Sequence, residues 1–517
     1  MPTSQKRLYH GVKRNPDGYY TPLVIDRPAD MAIYEFAPGA QKTKDKAIHT
    51  VIGFTSALKN KLYAGHEMNL MGEPYVECRM YQCPECGNVW VRRGDGEAEE
   101  CSNCGKLLEE NDCFQIVMPQ AYRTDLSYGQ DSLEDSSLVL SRPPVLTENI
   151  EGIEPRVVLN AEALISDNCA TWRVNKNGDN FFSGRKYNVE QRIGINRETF
   201  RATGQWIMDG VDAGMNITPL TRGSELVALA HNKHTEVVRI APREIPPVLD
   251  LDMFRTESVN GKYQIARHTF GIRAAYYSAA FLLQRILADA LDIDPTEIEI
   301  AGIIRKKEER CAQIVLTDGL ANGSGFVRQL YENLGEILND ICAETPHQKF
   351  IEHVVWKHHC ETACYDCLKV FRNMNYHGLL DWRLGVSLLR MLKDPDYLCG
   401  ADGNFNYPEL NRYWVNGKPE NWLIFAKSLR DSFNENFDRL GECLEMEGLP
   451  LIKRKKGYVM FVHPLWNMRE CHTEYWIHRI YNRLLAEVEG DASRIKIVDT
   501  FNLQRREGWC YQKLVER

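Results

Sequence analysis

No apolar run of about 18 or more residues occurs in this sequence, so a membrane-spanning helix is not expected. The first residues, Met1-Pro-Thr-Ser-Gln-Lys-Arg7, have no apolar stretch behind their basic pair, which argues against a secretory signal. The phosphate loop GxxxxGK(S/T) is missing, as are GxSxG, HExxH and GxGxxG, so the common signatures of a nucleotide motor, a serine hydrolase, a zinc protease and a dinucleotide site are all absent. A surplus of positive charge is lacking too. The 63 Lys and Arg face 71 Asp and Glu, for a net charge of -8. That excludes a globally basic nucleic-acid coat and leaves room for a local basic groove. No internal repeat is visible.

Cysteine is what the chain does have. Of its 16 cysteines, seven fall into two clusters with metal-ligand spacing. The first is Cys83-Pro-Glu-Cys86 followed by Cys101-Ser-Asn-Cys104, with Gly87 and Gly105 directly after each pair. Two CxxC knuckles at this separation are the spacing of a zinc ribbon, since each presents two thiolates on a tight turn and the two together close a tetrahedron. The second is His358-His359-Cys360, then Cys364 and Cys367, which suits a Cys3His site. His358 is the first choice for its fourth ligand, with His359, Cys342 and His377 as alternatives. Two zinc ions are therefore expected, both in closed sites that build structure rather than perform chemistry. Thiolate ligands need a reducing compartment, so a cytoplasmic protein is expected.

A chain of 517 residues with 44% hydrophobic and 26% charged residues should form several soluble domains. The expected fold class is α+β multidomain: an N-terminal β-rich region with a zinc ribbon, a central mixed α/β zinc-binding domain and a C-terminal α/β domain. The segments are placed at 1–75 (β-rich), 76–117 (ribbon), 138–250 (β-rich), 251–398 (zinc-binding) and 399–517 (α/β). Met31 to Phe54 reads as strand, Pro38-Gly39 turn, strand, and Val89-Trp90-Val91 as the ribbon's strand. Asp125 to Ser137 reads as a polar linker. Arg156–Leu159, Thr171–Val174 and Val227–Ile240 read as strands, with Asn175-Lys-Asn-Gly178 as a hairpin turn. Apolar residues at helical spacing predict a long buried helix over Thr269–Leu291 and a striped helix through Phe326, Leu330, Leu334 and Leu338. Further helices are expected around Leu379–Leu392, Trp422–Leu444 and Thr473–Val488, with strands at Tyr458–Val462 and Ile495–Asp499.

Several motifs are weaker. The turn Asp318-Gly-Leu-Ala-Asn-Gly-Ser-Gly325 runs into a helix and could hold an anion on its amides, although a tight turn explains its glycines equally well. His231-Asn-Lys233 and His347-Gln-Lys349 each begin an HxK phosphodiesterase pattern but carry Val238 and Val354 where its Asp belongs. Glu442, Glu445 and Glu447 precede the basic run Lys453-Arg454-Lys455-Lys456 without forming a carboxylate metal site that can be built from their spacing. No catalytic residue can be named. Arg92, Arg93, Arg305, Lys306, Lys307, Lys453, Arg454, Lys455 and Lys456 are the groups whose charge suits phosphate contact, and Trp90 or Trp172 could stack bases.

Four segments in order carry a resemblance: Phe270 to Asp294, the LTDGLANGSGF loop, Cys360-Glu-Thr-Ala-Cys364-Tyr-Asp-Cys367-Leu368, and Asn373 to Leu384 with His377-Gly-Leu-Leu-Asp381. Together they resemble the zinc-binding domain at the C-terminus of MrfA-type superfamily-two helicases, a domain that also forms the core of DrmB-type subunits of the DISARM anti-phage system. The resemblance covers about residues 150–395, extends loosely upstream through Tyr34–Gly39 and Pro119–Tyr128, and is thin past about 400. It implies that Cys360, Cys364 and Cys367 bind zinc, with His358 standing where the family has a fourth cysteine. MrfA-type proteins carry their own motor, whereas this sequence has neither a phosphate loop nor a DEAD/DEAH-type box. The resemblance therefore implies an accessory subunit, more a helper than an enzyme, that docks on a separate superfamily-two helicase and helps it engage DNA in anti-phage defence or repair. The rivals are a metal-dependent nuclease with its site after residue 400, and a scaffold that binds protein alone.

Overall fold

In the computed structural model, the described residues are 5–44, 47–66, 68, 70–93, 100–126, 130–131, 145–150, 152–193, 198–211, 215–259, 262–306, 309–342, 360–437 and 440–515. The architecture is mixed α/β, strand-rich in its first half and helix-rich in its second. The expected linker lies largely outside the described residues, and His347, Lys349, Val354, His358, His359 and Lys307 lie entirely outside them.

The N-terminal half is held together by ladders that pass from one region to the next. Strand Gln5–Arg14 pairs antiparallel with Tyr20–Pro28 and parallel with Ala121–Arg123. Ala121–Arg123 then meets Gly53–Thr55, which touches Glu198–Met208 through Trp206 and Phe54. Those two rings stack at 4.5 Å inside a core shared with Leu8, Phe36, Tyr122 and Leu229. Strand Glu225–Pro242 is the spine. It pairs with Phe182–Ile193 at its start, with Cys113–Pro119 just beyond, and with Ala161–Asn175 and Ala312–Asp318 further on.

Two local expectations need correction here. Met31 to Phe36 is not a strand but belongs to a helix, Ala29–Glu35, and its C-cap. Ala29, Ala32, Ile33 and Phe36 are buried at i, i+3, i+4 and i+7, a helical period that seven residues of mixed β-propensity obscure. Asn175–Gly178 is a turn, but not a hairpin. Strand Ala161–Asn175 ends opposite Leu229 while Phe182–Ile193 begins opposite Val227, so the turn is a corner at which the chain moves along the spine strand.

The long helix Phe270–Leu291 forms as expected and stops at Asp292, whose left-handed backbone ends it. It packs against Trp382–Lys393 so closely that a Cβ on Gly385 would sit 2.9 Å from the carbonyl carbon of Ser278. The Ser278 hydroxyl accepts the Asp381 N–H at 2.8 Å, which fixes where the second helix starts. Helix Phe326–Cys342 buries Val327, Leu330, Leu334, Leu338 and Ile341 on one face. In the C-terminal part, helix Trp422–Asn436 precedes three antiparallel strands, Glu442–Met446, Leu449–Arg454 and Gly457–Val462. Helix Trp476–Glu487 then crosses over to Ile495–Asp499, parallel to the third strand. The expected helix over Trp422–Leu444 is therefore shorter, because Gly441 begins the sheet: a Cβ there would lie 2.1 Å from the Lys453 carbonyl oxygen. One apolar core runs from the long helix into this sheet, through Leu282, Leu388, Trp422, Leu451 and Met460. Among the described residues no helix is long and apolar enough to cross a membrane.

Candidate metal centres

The first cysteine cluster is built by two turns of one design. The Gly87 N–H donates to Cys83 O at 2.9 Å and the Cys83 N–H to Asn88 O at 2.9 Å; Gly105 to Cys101 and Cys101 to Lys106 repeat the pattern at 2.8 and 2.9 Å. Both glycines have left-handed backbone, φ +74° and +72°, which a side chain would strain. The turns bring four sulfurs within 4.8 Å of one another, with Cys83–Cys104 and Cys86–Cys101 each at 3.5 Å. A Zn–S bond of about 2.3 Å sets tetrahedral S···S edges of about 3.8 Å, so these spacings are close to what zinc needs. Cys83, Cys86 and Cys101 are buried. The hydrogen bond with Cys101 and burial hold the Cys86 thiol above its ordinary range, and a divalent cation would favour the thiolates instead.

This ribbon does not hang free. The Cys86 carbonyl of the first knuckle accepts the Arg305 N–H at 2.8 Å, and the Asn103 amide of the second knuckle donates to the Arg305 carbonyl at 3.1 Å. A Cβ on Gly87 would meet Ile303 O at 3.1 Å, so the first knuckle lies flush on the short strand Ile304–Arg305. The metal-bearing turns thereby clamp one residue of the central region between them.

The second cluster joins Cys360, Cys364 and Cys367, whose sulfurs also lie within 4.8 Å of one another. Cys360–Cys367 is 3.7 Å and Cys364–Cys367 3.6 Å, again near a tetrahedral edge. The Cys364 N–H points at the Cys367 sulfur at 3.1 Å, a contact that suits a thiolate. The knuckle is gripped from behind by helix Trp382–Lys393. The Trp382 indole donates to Cys360 O at 3.3 Å, and the buried Arg383 guanidinium donates to the carbonyls of Cys360, Glu361 and Arg412. Both clusters can hold zinc.

Of the four candidates for the remaining ligand, His358 and His359 lie outside the described residues. His377 is engaged elsewhere, its Nε2 at 3.1 Å from Val370 O and 2.9 Å from Asn373 Oδ1. Cys342 ends a helix beside Arg390, and its thiol is not among the clustered sulfurs; burial pushes it up to about 12.

The basic residues divide into two kinds. Arg305 bridges to Asp252 at 3.0 Å over the Phe254 ring, and Lys306 is held by Glu162 and Glu309 at 3.0 and 2.8 Å. Arg454 donates to Leu514 O at 3.0 Å. Lys453 faces Glu442 across the strand pair. Arg92, Arg93, Lys453, Lys455 and Lys456 are exposed. Trp90 stacks on Tyr81 at 5.4 Å, and Trp172 is buried with its indole on Glu148. Of the C-terminal carboxylates, Glu445 pairs with Lys427 and Glu447 with Arg483, each at 2.5 Å, so the two are held by cations on different helices.

The glycine-rich turn does not offer its amides to an outside anion. The buried Asp318 carboxylate takes the N–H groups of Ser324, Gly325 and Val327 at 2.5, 2.7 and 3.0 Å, and so occupies the helix N-terminus itself. The signal was present in the sequence as an acidic residue just ahead of the turn.

Comparison with known proteins follows the second cluster. Residues 279–368, which include Cys360, Cys364 and Cys367, match the family model of the MrfA Zn-binding domain. Druantia protein DruE of Escherichia coli (strain UMEA 4076-1) is 32% identical over 103 residues, 19% of this chain and 5% of DruE. The chain thus spans a small fraction of that relative. The crystal structure of the DUF1998 helicase MrfA bound to DNA aligns over 75% of this chain and 34% of its own, at 8% identity and a TM-score of 0.33.

Proposed function

We propose that this chain is a non-catalytic, zinc-stabilised subunit that partners a separate superfamily-two helicase and helps it engage DNA, in anti-phage defence or repair. The observation that carries this reading is the family match over residues 279–368, together with the three clustered thiols at its end. These 517 residues contain no phosphate loop, so the reading takes the motor from outside them. Exposed Arg92 and Arg93 on the ribbon and Lys453, Lys455 and Lys456 on the C-terminal hairpin are the groups this reading sets against phosphates. Arg305 and Lys306 are left to hold the fold, since both are already ion-paired.

The test is gentle affinity purification of the tagged chain from its native host. A superfamily-two helicase recovered in stoichiometric amount, with DNA affinity falling steeply as salt rises, is the expected result. Recovery of the chain alone, with no salt-dependent DNA binding by chain or complex, overturns the reading.

A further inference from the structure

Trp90 and Trp172 are engaged within the fold, but two other rings reach the surface where the N-terminal strand pair turns back on itself. Strand Gln5–Arg14 returns through residues 15–19 into Tyr20–Pro28, with Arg14 opposite Tyr20 and Lys13 opposite Thr21. Tyr20 also bridges antiparallel to Leu62, its N–H donating to Leu62 O at 2.7 Å and the Leu62 N–H to Tyr20 O at 2.8 Å. Three lengths of chain thus lie side by side. Their faces follow from the alternation of side chains along extended backbone. Tyr20 and Leu62 point inward, into a core shared with Tyr9 and Phe200. The residues flanking them, Tyr19 and Thr21 on one segment and Lys61 and Tyr63 on the other, therefore point outward together with Lys13. The Lys61 ammonium lies 4.8 Å from the centre of the Tyr19 ring, as that assignment requires. The outer face is Lys13, Thr21 and Lys61 in one row, with Tyr19 and Tyr63 in the next.

This face is pinned in place and carries an excess of positive charge. The Asn15 N–H donates to Tyr19 O at 2.9 Å and the Asn15 side-chain amide to Thr21 Oγ1 at 2.7 Å; beyond Tyr63, the Gly65 N–H donates to Thr199 O at 2.7 Å. Over residues 13–21 and 59–66, Lys13, Arg14, Lys59 and Lys61 stand against a single acid, Asp17 at the turn. Glu198, on the strand behind, is taken by the Tyr20 hydroxyl on the inner side. Among the described residues no carboxylate lies within ion-pair distance of Lys13, Lys59 or Lys61, and all three are exposed. Tyr63 is 50% exposed, and among the described residues no other ring packs against it. Water satisfies the lysines but not a half-exposed ring, whereas a nucleic-acid strand offers phosphate to one row and base to the other.

We infer that this face binds single-stranded nucleic acid, with phosphates on Lys13 and Lys61 and bases stacked on Tyr63 and the open side of Tyr19. The unpaired cations select a polyanion, and the adjoining rings select one whose bases are unpaired. The inference deepens the proposed function by adding a contact away from the ribbon, and it takes DNA as the strand from that reading.

The experiment follows the fluorescence anisotropy of a labelled ten-residue oligothymidylate with the full chain over a range of salt. Tyr63→Ala should weaken binding about tenfold, the loss of one stacked base, and leave the salt slope unchanged. Tyr63→Phe keeps the ring and should bind like the native chain. Lys13→Gln combined with Lys61→Gln should instead flatten the slope of log affinity against log salt, by about 0.7 for each lysine. All three side chains are exposed, so thermal unfolding should stay unchanged. No binding of the strand, or affinity indifferent to Tyr63→Ala, overturns the inference. So does a duplex of the same length bound as tightly as the strand, or equal displacement of the strand by polyglutamate or phosphatidylserine vesicles. Should a recovered helicase complex bind DNA equally well with the native chain and these variants, the inference fails and the proposed function stands. Should the strand bind through this face while no helicase is recovered, the reverse holds.

Discussion

The two cysteine clusters use the same donor chemistry to opposite ends. The ribbon carries all four thiols on two small turns and little else: its own core is Tyr81, Leu108 and the cysteines themselves. Cys360 and Cys367 belong instead to the largest apolar core in the molecule, alongside Leu282, Trp382 and Leu388. A metal that organises a nearly coreless module supplies that module's fold, whereas a metal set into an existing core pins down one loop of it. Ligand count is therefore a poor guide to how much of the protein depends on each ion.

Single thiol replacements should separate the two most sharply. Cys101→Ser should lower the zinc content from two ions to one per chain, by elemental analysis. Hydrogen-exchange protection should then be lost at the two knuckles, residues 83–88 and 101–108, while strand Cys113–Pro119, paired with the spine strand, and the long helix Phe270–Leu291 keep theirs. Structural zinc contributes upwards of about 10 kcal/mol in small modules, so the loss should be complete within the ribbon. Cys367→Ser should also remove one zinc, but lower the main thermal transition rather than melt one module. Equal effects on the main transition would erase the distinction drawn here.

The supports behind the metals come next in size. Arg383→Ala leaves the carbonyls of Glu361 and Arg412 without this donor, leaves Cys360 O to the Trp382 indole alone, and removes a guanidinium stacked between Trp382 and Tyr413 at 4.7 and 4.4 Å. Each buried group so orphaned costs about 1–3 kcal/mol, so a loss of about 3 kcal/mol or more in chemical denaturation is expected. Asn103→Ala removes the hydrogen bond to the Arg305 carbonyl and should cost about 1 kcal/mol or somewhat more, seen as faster exchange of the ribbon amides alone.

Acid offers the smallest and most graded probe. His463 is fully buried in the core that holds the second cluster, and burial pushes its imidazole down to about 3. In the unfolded chain the group takes a proton near pH 6.5. The unfolded state thus binds more protons below that pH, and stability falls as pH drops from about 6.5 towards the folded value. The slope is at most about 1.4 kcal/mol per pH unit. His463→Gln should flatten this limb in denaturant melts between pH 6.5 and 5, and an unchanged slope would refute the assignment.

Much of this was legible in the chain, for reasons that differ by element. The ribbon could be read because CxxC spacing and a following glycine together specify a turn that presents two thiols. The long helix could be read because twenty-odd residues give several turns of periodicity. Ala29–Glu35 could not, since seven residues hold barely two turns and its apolar set is shared with strand-forming Ile33 and Tyr34. The nine basic positions were chosen on charge, and charge along a chain says nothing about what stands opposite. Asp252 and Glu162, which hold Arg305 and Lys306, are distant in sequence, and only Glu309, three residues from Lys306, was within local reach. The Arg173–Glu299–Lys233 cluster was hidden for the same reason: its members come from three strands, and only the HxK spacing of His231 and Lys233 left a local trace.

Arg305, held between the two ribbon knuckles, has a consequence for the order of assembly. The Asn103–Arg305 contact spans 202 residues, and closing so long a loop is costly but only logarithmically dependent on length. The turns that present the Cys86 carbonyl and the Asn103 amide are drawn into register by the thiols around them. A chain short of zinc should therefore leave strand Ile304–Arg305 without its cover and lay open Phe254 and Ile303, which face Gly87 in the folded knuckle.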